Sequence, residues 1–530
     1  MMSACILSRP AAASDCAVIE SRAGLASLSG LRITSVEVRS DRPDLPGPAS
    51  VFEPLHAASR ETVIRRQLLF AAGDTIDSLR VGETLRRLRA QRLFSDAVLL
   101  AQRCDAANGV AITVQTRDTW TLRPTARLRA NNQLSFGIEE RNFLGTGRTV
   151  ALTREMTFHG SGAAFTYTDP FLLGSSVAGN LRIANLAGGR TLRFGARRHE
   201  YSVLDPWKAE ANFASVSFRD TAASEKGLQT ISAMALTGRR IRSTHTSITM
   251  FLAGAEFDSA TSISPSRRGV AAGMPHARSF LGVDLGLQHR TAVFDSVSWI
   301  VPGRGFLDVP LGWEGEGIVG GGYEREARSP TLKYDAWLGR VWLPRRGRVL
   351  MVDGWASSYV GRGVDRNRIL RASLSWYAEA AAGMWGARLT AEQLDEIDPD
   401  RRGLSLMPVA DYTAAAIRPY GARGRQSVAA SLDRDAHVAH VGAASVVNVG
   451  GFVAASYRWN VRDVSSGEIG AGVIGARMRI LSANGTVGSI RVDVGYPVLA
   501  SEAVERKPFL TVTYGTLFDA SRQRDGRRIY

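Results

Sequence analysis

The side chains with chemical potential in this chain are cations far more than nucleophiles. Ile417–Gln426 (IRPYGARGRQ) places Arg418, Arg423 and Arg425 among two glycines and a proline, too irregular for a strand or a helix. A basic, irregular segment among alternating stretches is either an ordinary solvent loop or a loop that folds back into something. Glu392, Asp395, Glu396, Asp398 and Asp400 cluster in Ala391–Asp400, which reads as a solvated loop. The cluster lacks the Gly-turned ligand spacing of a calcium loop. His437 and His440 are three apart, on opposite faces of any strand, and have no third ligand nearby. Cys5, Cys16 and Cys104 form no CxxC pair. Walker A, HExxH and GxSxG motifs are absent from the sequence. His159-Gly160-Ser161-Gly162 lacks the nucleophile-elbow spacing and reads as a hairpin turn, as do Gly145-Thr146-Gly147 and Asp169-Pro170. The sequence therefore offers no catalytic centre, no metal site and no cofactor site, and the reading is not an enzyme.

Composition narrows the class further. The 530 residues carry a formal charge of +16, with Lys at only four positions. The arginines are scattered along alternating segments, not gathered into one patch with interleaved aromatics, which argues against nucleic acid as a partner. No apolar run approaches the ~18 residues of a membrane-spanning helix, a criterion that does not apply to a barrel crossing with short alternating strands. Residues 1–30 read as an N-terminal segment with a candidate signal remnant. Ala11-Ala12-Ala13 has the small-residue character of a cleavage site, while Ala4–Leu7 is a short apolar stretch and Arg9 the only basic residue ahead of it. That combination is read as a start lying upstream.

The elements that must position the arginines fall into two textures. Leu31–Val38 alternates and reads as a strand. Glu61–Phe70 reads as a short helix stopped at Gly73, and Leu79–Gln91 as a second helix behind an Asp77-Ser78 cap, with Val81, Leu85 and Leu88 on one face. Ala97–Gln102 and Val110–Thr116 read as two more strands, giving β-α-α-β-β over residues 31–118. From Trp120 onward, alternation takes over. Trp120, Leu122, Pro124, Ala126 and Leu128 share one face against Arg123, Thr125, Arg127 and Arg129. Ile474, Ala476, Met478 and Ile480 alternate with Arg477 and Arg479, and Ile490, Val492 and Val494 with Arg491 and Asp493. Segments of about ten residues broken by Gly, Asn, Asp or Ser turns are the mark of a transmembrane barrel. Residues 119–530 are read that way, in preference to a large soluble all-β protein.

These stretches resemble the Omp85 superfamily (BamA/TamA-like, bacterial surface antigen). Val63–Thr75 (VIRRQLLFAAGDT) with Leu85–Ala97 (LRRLRAQRLFSDA) is similar to the two-helix core of a POTRA domain. Arg117-Asp118-Thr119-Trp120 resembles the junction into the barrel, Gly137–Gly145 (GIEERNFLG) and Tyr167–Gly174 (YTDPFLLG) early barrel strands, and Gly485–Val498 (GTVGSIRVDVGYPV) the penultimate region. The resemblance implies a mainly β protein with a C-terminal transmembrane antiparallel barrel of about sixteen strands and a periplasmic α+β POTRA domain, in the outer membrane of a Gram-negative bacterium. It implies a role in inserting or translocating client proteins. A structural or passive-pore barrel handling lipids or small solutes, without protein clients, is the alternative.

The resemblance also implies site residues. A family Arg-Gly-Tyr/Phe motif on a loop folding into the lumen corresponds to Arg418 and Tyr420, with Pro419 in place of the Gly. Proline fixes φ near −65° and removes an N–H, so a tip needing positive φ is lost. Gly303-Arg304-Gly305-Phe306 matches the motif better locally and lies earlier in the chain. Lumen-wall partners correspond to Asp493 and to Asn448, where an Asp is expected. Thr513, Gly515 and Phe518 correspond to the C-terminal β-signal in a last strand over Lys507–Phe518. Expected partners are outer-membrane lipids, client proteins at the POTRA strand edge and at the seam between first and last strands, and accessory lipoproteins.

Overall fold

The computed structural model describes residues 16–20, 28–43, 56–91, 93–104, 109–128, 134–157, 160–186, 189–198, 205–219, 227–244, 246–263, 278–291, 293–297, 307–362, 364–395, 426–441, 445–460, 467–482, 489–501, 504 and 506–515. A small domain comes first. Its strands are β1 (Cys16–Glu20), β2 (Arg32–Asp41), β3 (Phe94–Cys104) and β4 (Gly109–Asp118), and its helices α1 (Glu61–Arg65) and α2 (Ser78–Ala90). The sheet order is β1-β3-β4-β2. Only β2 and β4 run parallel, because both helices lie between β2 and the β3–β4 hairpin. Asp77 caps α2 as expected, its carboxylate accepting from Leu79 N at 2.9 Å. Gly73, at φ +96°, turns the chain after α1, which is one turn of helix and shorter than expected. Ile33, Ile64, Leu88, Leu99, Val110 and Ile112 form the centre of one apolar core.

One expectation needs correction here. Residues 1–30 are not wholly outside the domain: Cys16–Glu20 adds a fourth strand antiparallel to β3, and Leu28 is in the core.

The rest is one antiparallel sheet closed on itself. Its strands are β5 (Leu122–Leu128), β6 (Leu134–Phe143), β7 (Arg148–Thr157), β8 (Gly160–Asp169), β9 (Val177–Leu186), β10 (Gly189–Arg198), β11 (Trp207–Arg219), β12 (Gly227–Ser243), β13 (Ser247–Ile263) and β14 (Arg278–Thr291). A hairpin outside the ring, β15 (Phe294–Val297) and β16 (Leu307–Pro310), interrupts it. The ring resumes with β17 (Gly312–Glu324), β18 (Ser329–Arg345), β19 (Arg348–Gly361), β20 (Val364–Ala380), β21 (Gly383–Asp395), β22 (Gln426–Val441), β23 (Ser445–Trp459), β24 (Glu468–Ser482), β25 (Ser489–Ala500) and β26 (Phe509–Gly515). Twenty described strands make the ring, not the sixteen expected. Short connections leave room for them: Leu186 pairs with Gly189, Ala380 with Gly383 and Gly361 with Val364, so little chain is spent between strands.

Alternation sets the faces. On β14, Leu281, Val283, Leu285 and Leu287 point outward and are exposed, whereas Phe280 and Asp284 are buried. The same outward apolar row appears at Leu370 and Leu374, at Val449 and Val453, and at Ile490 and Val494. Side chains of a strand alternate between faces, so each such row leaves the polar set inside.

The small domain docks on one end of the ring, at the turns following β6 and β8. Arg60 N donates to Gly145 O at 2.9 Å, and Asn142 Nδ2 donates to Ala57 O at 3.1 Å and Ser59 Oγ at 2.9 Å. A side chain at Gly145 would meet Ala58 O at 2.3 Å, and its φ is +72°, so this approach requires glycine. Phe171 completes the domain's own core, with Arg66 stacked 5.3 Å over its ring. Buried Asp118 fastens the junction, accepting from Ser59 N at 2.7 Å and Ser40 Oγ at 3.2 Å beside His56 Nε2 at 3.2 Å. The stretches Gly137–Gly145, Tyr167–Gly174 and Arg117–Trp120 thus include the residues that join the two parts.

Candidate functional site

Three places in this fold could do work: the inner wall of the ring, the closure between β26 and β5, and the outer edge of the domain sheet. Asp493 lies on the inner face of β25 and is fully buried. Its Oδ1 receives Arg477 Nε at 2.8 Å, and its Oδ2 lies 2.9 Å from Arg491 Nε. Arg477 reaches Asp433 Oδ2 at 3.2 Å and stacks 5.1 Å over Phe452. Arg479 pairs with Asp435 and lies 3.5 Å from Asp433. The register explains the grouping, since Arg477 is the Cα partner of Asp493 and Arg479 that of Asn448. Three arginines and three aspartates thus face each other among the described residues. Asn448 is buried in the same patch, and its Oδ1 finds no hydrogen-bond partner among the described residues.

A second patch lies on β13 to β20, toward the end away from the small domain. Lys333 pairs with Glu256 and lies 3.6 Å from Asp284, and Tyr359 Oη donates to Glu256. Arg278 meets Asp258 at 3.0 Å, while Arg366 meets Glu324 at 2.8 Å and Asp258 at 3.5 Å. Tyr359 packs edge-on to Phe280 with centroids 5.2 Å apart, and Arg366 sits 4.4 Å over the tyrosine ring. A third pair, Lys208 and Glu316 at 3.4 Å with Gln288 alongside, lies nearer the domain end. The wall therefore buries two of the four lysines in the chain. Buried ions persist only when paired, and here each is paired across strands.

The expected solvated loop at Ala391–Asp400 is corrected in part. Ala391–Asp395 belongs to β21, and Glu392 is buried against Arg371 from β20, so the first acid of that cluster is a wall residue. Arg418, Pro419 and Tyr420 lie outside the described residues. They fall between β21 and β22, which leave and re-enter the ring at the end opposite the small domain. Gly303–Phe306 also lies outside the described residues, between β15 and β16 at the domain end, where Arg89 approaches Asp308 at 3.8 Å. Sequence reading placed Asp493, Arg477 and Arg479 on a polar face and overlooked Asp433 and Asp435. Their two-residue spacing on β22 was the available signal.

Among the described residues, Val512 with Leu128 is the one register pair between β26 and β5. By contrast β25 and β26 share seven pairs, as do β5 and β6. Thr513 and Gly515 stand on β26, opposite Arg491 and Ser489 of β25, and Phe518 lies outside the described residues. On the domain sheet, the outer edge of β3 over Leu100–Cys104 is already occupied by β1. An expected client edge is thus filled by the chain itself over those five residues.

Fold and wall together define a class: a large antiparallel barrel, apolar outside and ion-paired inside, with a small α+β domain docked on one end. No family model and no curated protein matches the chain. Among solved structures it is similar to CdiB from Acinetobacter baumannii, at 10% identity over 94% of this chain and 78% of that one, with a TM-score of 0.40. CdiB from Escherichia coli is similar at 9% identity over 94% and 80%, with a TM-score of 0.45. BamA from Haemophilus ducreyi lacking POTRA domains 1–3 is similar at 11% identity over 91% and 84%, with a TM-score of 0.35. At these values the likeness stands as a likeness only, and the barrel rests on its own strand register.

Proposed function

We propose that this chain is an Omp85-type outer-membrane protein, with its small domain a periplasmic POTRA domain, that assists insertion or translocation of client proteins. The observation that carries the reading is the closure between β26 and β5, which among the described residues is a single register pair where other neighbours share seven or more. Unpaired N–H and C=O groups along such a seam can template an incoming strand by β-augmentation. The outward apolar rows support a membrane location, because a barrel in lipid must place its apolar face outside. In this reading the loop carrying Arg418 and Tyr420 enters the lumen from the far end and approaches Asp493. It would join a patch in which Arg477 and Arg491 already pair with Asp493, so its hold is weaker than a lone Arg–Asp lock. Thr513, Gly515 and Phe518 act as the signal that brings the last strand to assembly.

The test is photo-crosslinking in cells from positions 510 and 512 on β26. Capture of other barrel proteins during their synthesis is the expected result, and capture of lipid alone would contradict it. The alternative, a passive barrel without clients, draws support from the ion-paired wall and from the occupied edge of β3. Planar-bilayer recordings separate the two. A steady open conductance without client crosslinks favours the passive barrel.

A further inference from the structure

Two of the three cysteines in this chain, more than eighty residues apart in sequence, are direct partners in the domain sheet. β1 and β3 run antiparallel, and their register sets Cys16 opposite Cys104, Val18 opposite Gln102 and Glu20 opposite Leu100. Directly opposed residues of an antiparallel pair lie on the same face, with Cα atoms ~4.5–5.5 Å apart. A disulfide spans Cα separations of ~4.4–6.8 Å, so the backbone register meets its main requirement. The pair closes the end rung of a strand with five described residues. A strand that short, on the rim of a sheet, gains little from its own ladder.

We propose that Cys16 and Cys104 form a disulfide that fastens β1 over the outer edge of β3, so that this edge opens only in the reduced protein. Bond formation removes one proton and one electron from each thiol. The two electrons pass to a disulfide of a thiol oxidoreductase or of a small-molecule thiol couple, which leaves as two thiols. A dithiol reverses the step, and β1 is then held without the bond, by its backbone pairing to β3. The bond suits an oxidising compartment, where disulfides persist. Its value as a gate for extended clients rests on the function proposed above, whereas the bond and the closure of the edge do not.

The experiment uses the full chain, with free thiols blocked by N-ethylmaleimide at cell lysis and the protein then purified in detergent without reductant. Cleavage before aspartate separates Cys5 from Cys16, since Asp15 lies between them, and releases Asp96–Cys104 as a peptide. The expected product is the peptide starting at Asp15 joined to Asp96–Cys104 until reductant is added. Cys104 recovered as a blocked free thiol, or joined to Cys5, overturns the proposal. Amide hydrogen exchange over Leu100–Cys104 gives the second readout. Exchange at least tenfold faster after dithiothreitol, and equally fast in oxidised Cys16→Ser protein, is expected. Equal exchange in the oxidised, reduced and Cys16→Ser forms shows that the bond fastens nothing and overturns the closure. Crosslinking from Val98 then tests the client reading separately. A confirmed bond with a redox-dependent edge but no client in either state counts against the proposed function and leaves the fastening intact.

Discussion

The small domain and the barrel are built from the same residue types with the sides reversed. In the domain, Ile33, Ile64, Leu88 and Leu99 are wholly buried, while charges such as Glu37 and Arg39 face outward. In the barrel, Leu281 and Val283 are 65% and 64% exposed, while Asp493 is 0% and Arg477 2% exposed. Burial of apolar area drives the first arrangement in water. The second is what the proposed membrane setting calls for, with outer surroundings as apolar as the side chains and inward charges that satisfy one another. The difference teaches that alternation alone does not say which face is the core. The solvent decides that.

Substitutions should break the comparison in a definite order. Arg477→Ala leaves Asp493 and Asp433 without their shared cation, and losing one partner of a buried pair costs about 3–5 kcal/mol. Its denaturant midpoint in detergent, followed by tryptophan fluorescence, should fall furthest. Leu88→Ala opens a cavity in the domain core, costing about 2–5 kcal/mol. Hydrogen exchange should speed up in the domain strands and stay unchanged in the barrel. Leu285→Arg places a charge on the outer face at mid-strand, at about 2–4 kcal/mol in lipid. Folding titrations into vesicles should register that loss, and a matched Leu285→Gln should lose less. A soluble all-β protein would tolerate the arginine at that exposed site, so this variant sharpens the comparison most. Asp77→Ala removes only the α2 cap, at about 1 kcal/mol, and should loosen that helix alone.

Much of this was legible in the chain. The Asp77 cap and the Val81, Leu85 and Leu88 face set α2 to within a residue, because helix signals are local. Alternation gave the barrel and put Asp493 inside, again from neighbours in sequence. What escaped was non-local. Strand number depends on where hairpins turn, and strands such as β18 and β20, at seventeen residues each, outrun the ten-residue segments seen by eye. The Tyr359–Glu256 contact joins residues 103 apart, which no spacing rule announces. β1 pairs with a strand some eighty residues later, so its five residues looked like part of a leader. Glu392 sat among four other acids, and only its cross-strand partner Arg371 marks it as a wall residue.

The central claim is that the closure between β26 and β5 opens to admit a client strand. The direct test joins it covalently. Leu128→Cys with Val512→Cys, in protein whose three native cysteines are replaced by serine, places the new pair at the one register contact. Oxidised, this protein should stop promoting insertion of an unfolded barrel protein into vesicles, and reduction should restore it. Insertion that proceeds equally well with the seam locked would contradict the account.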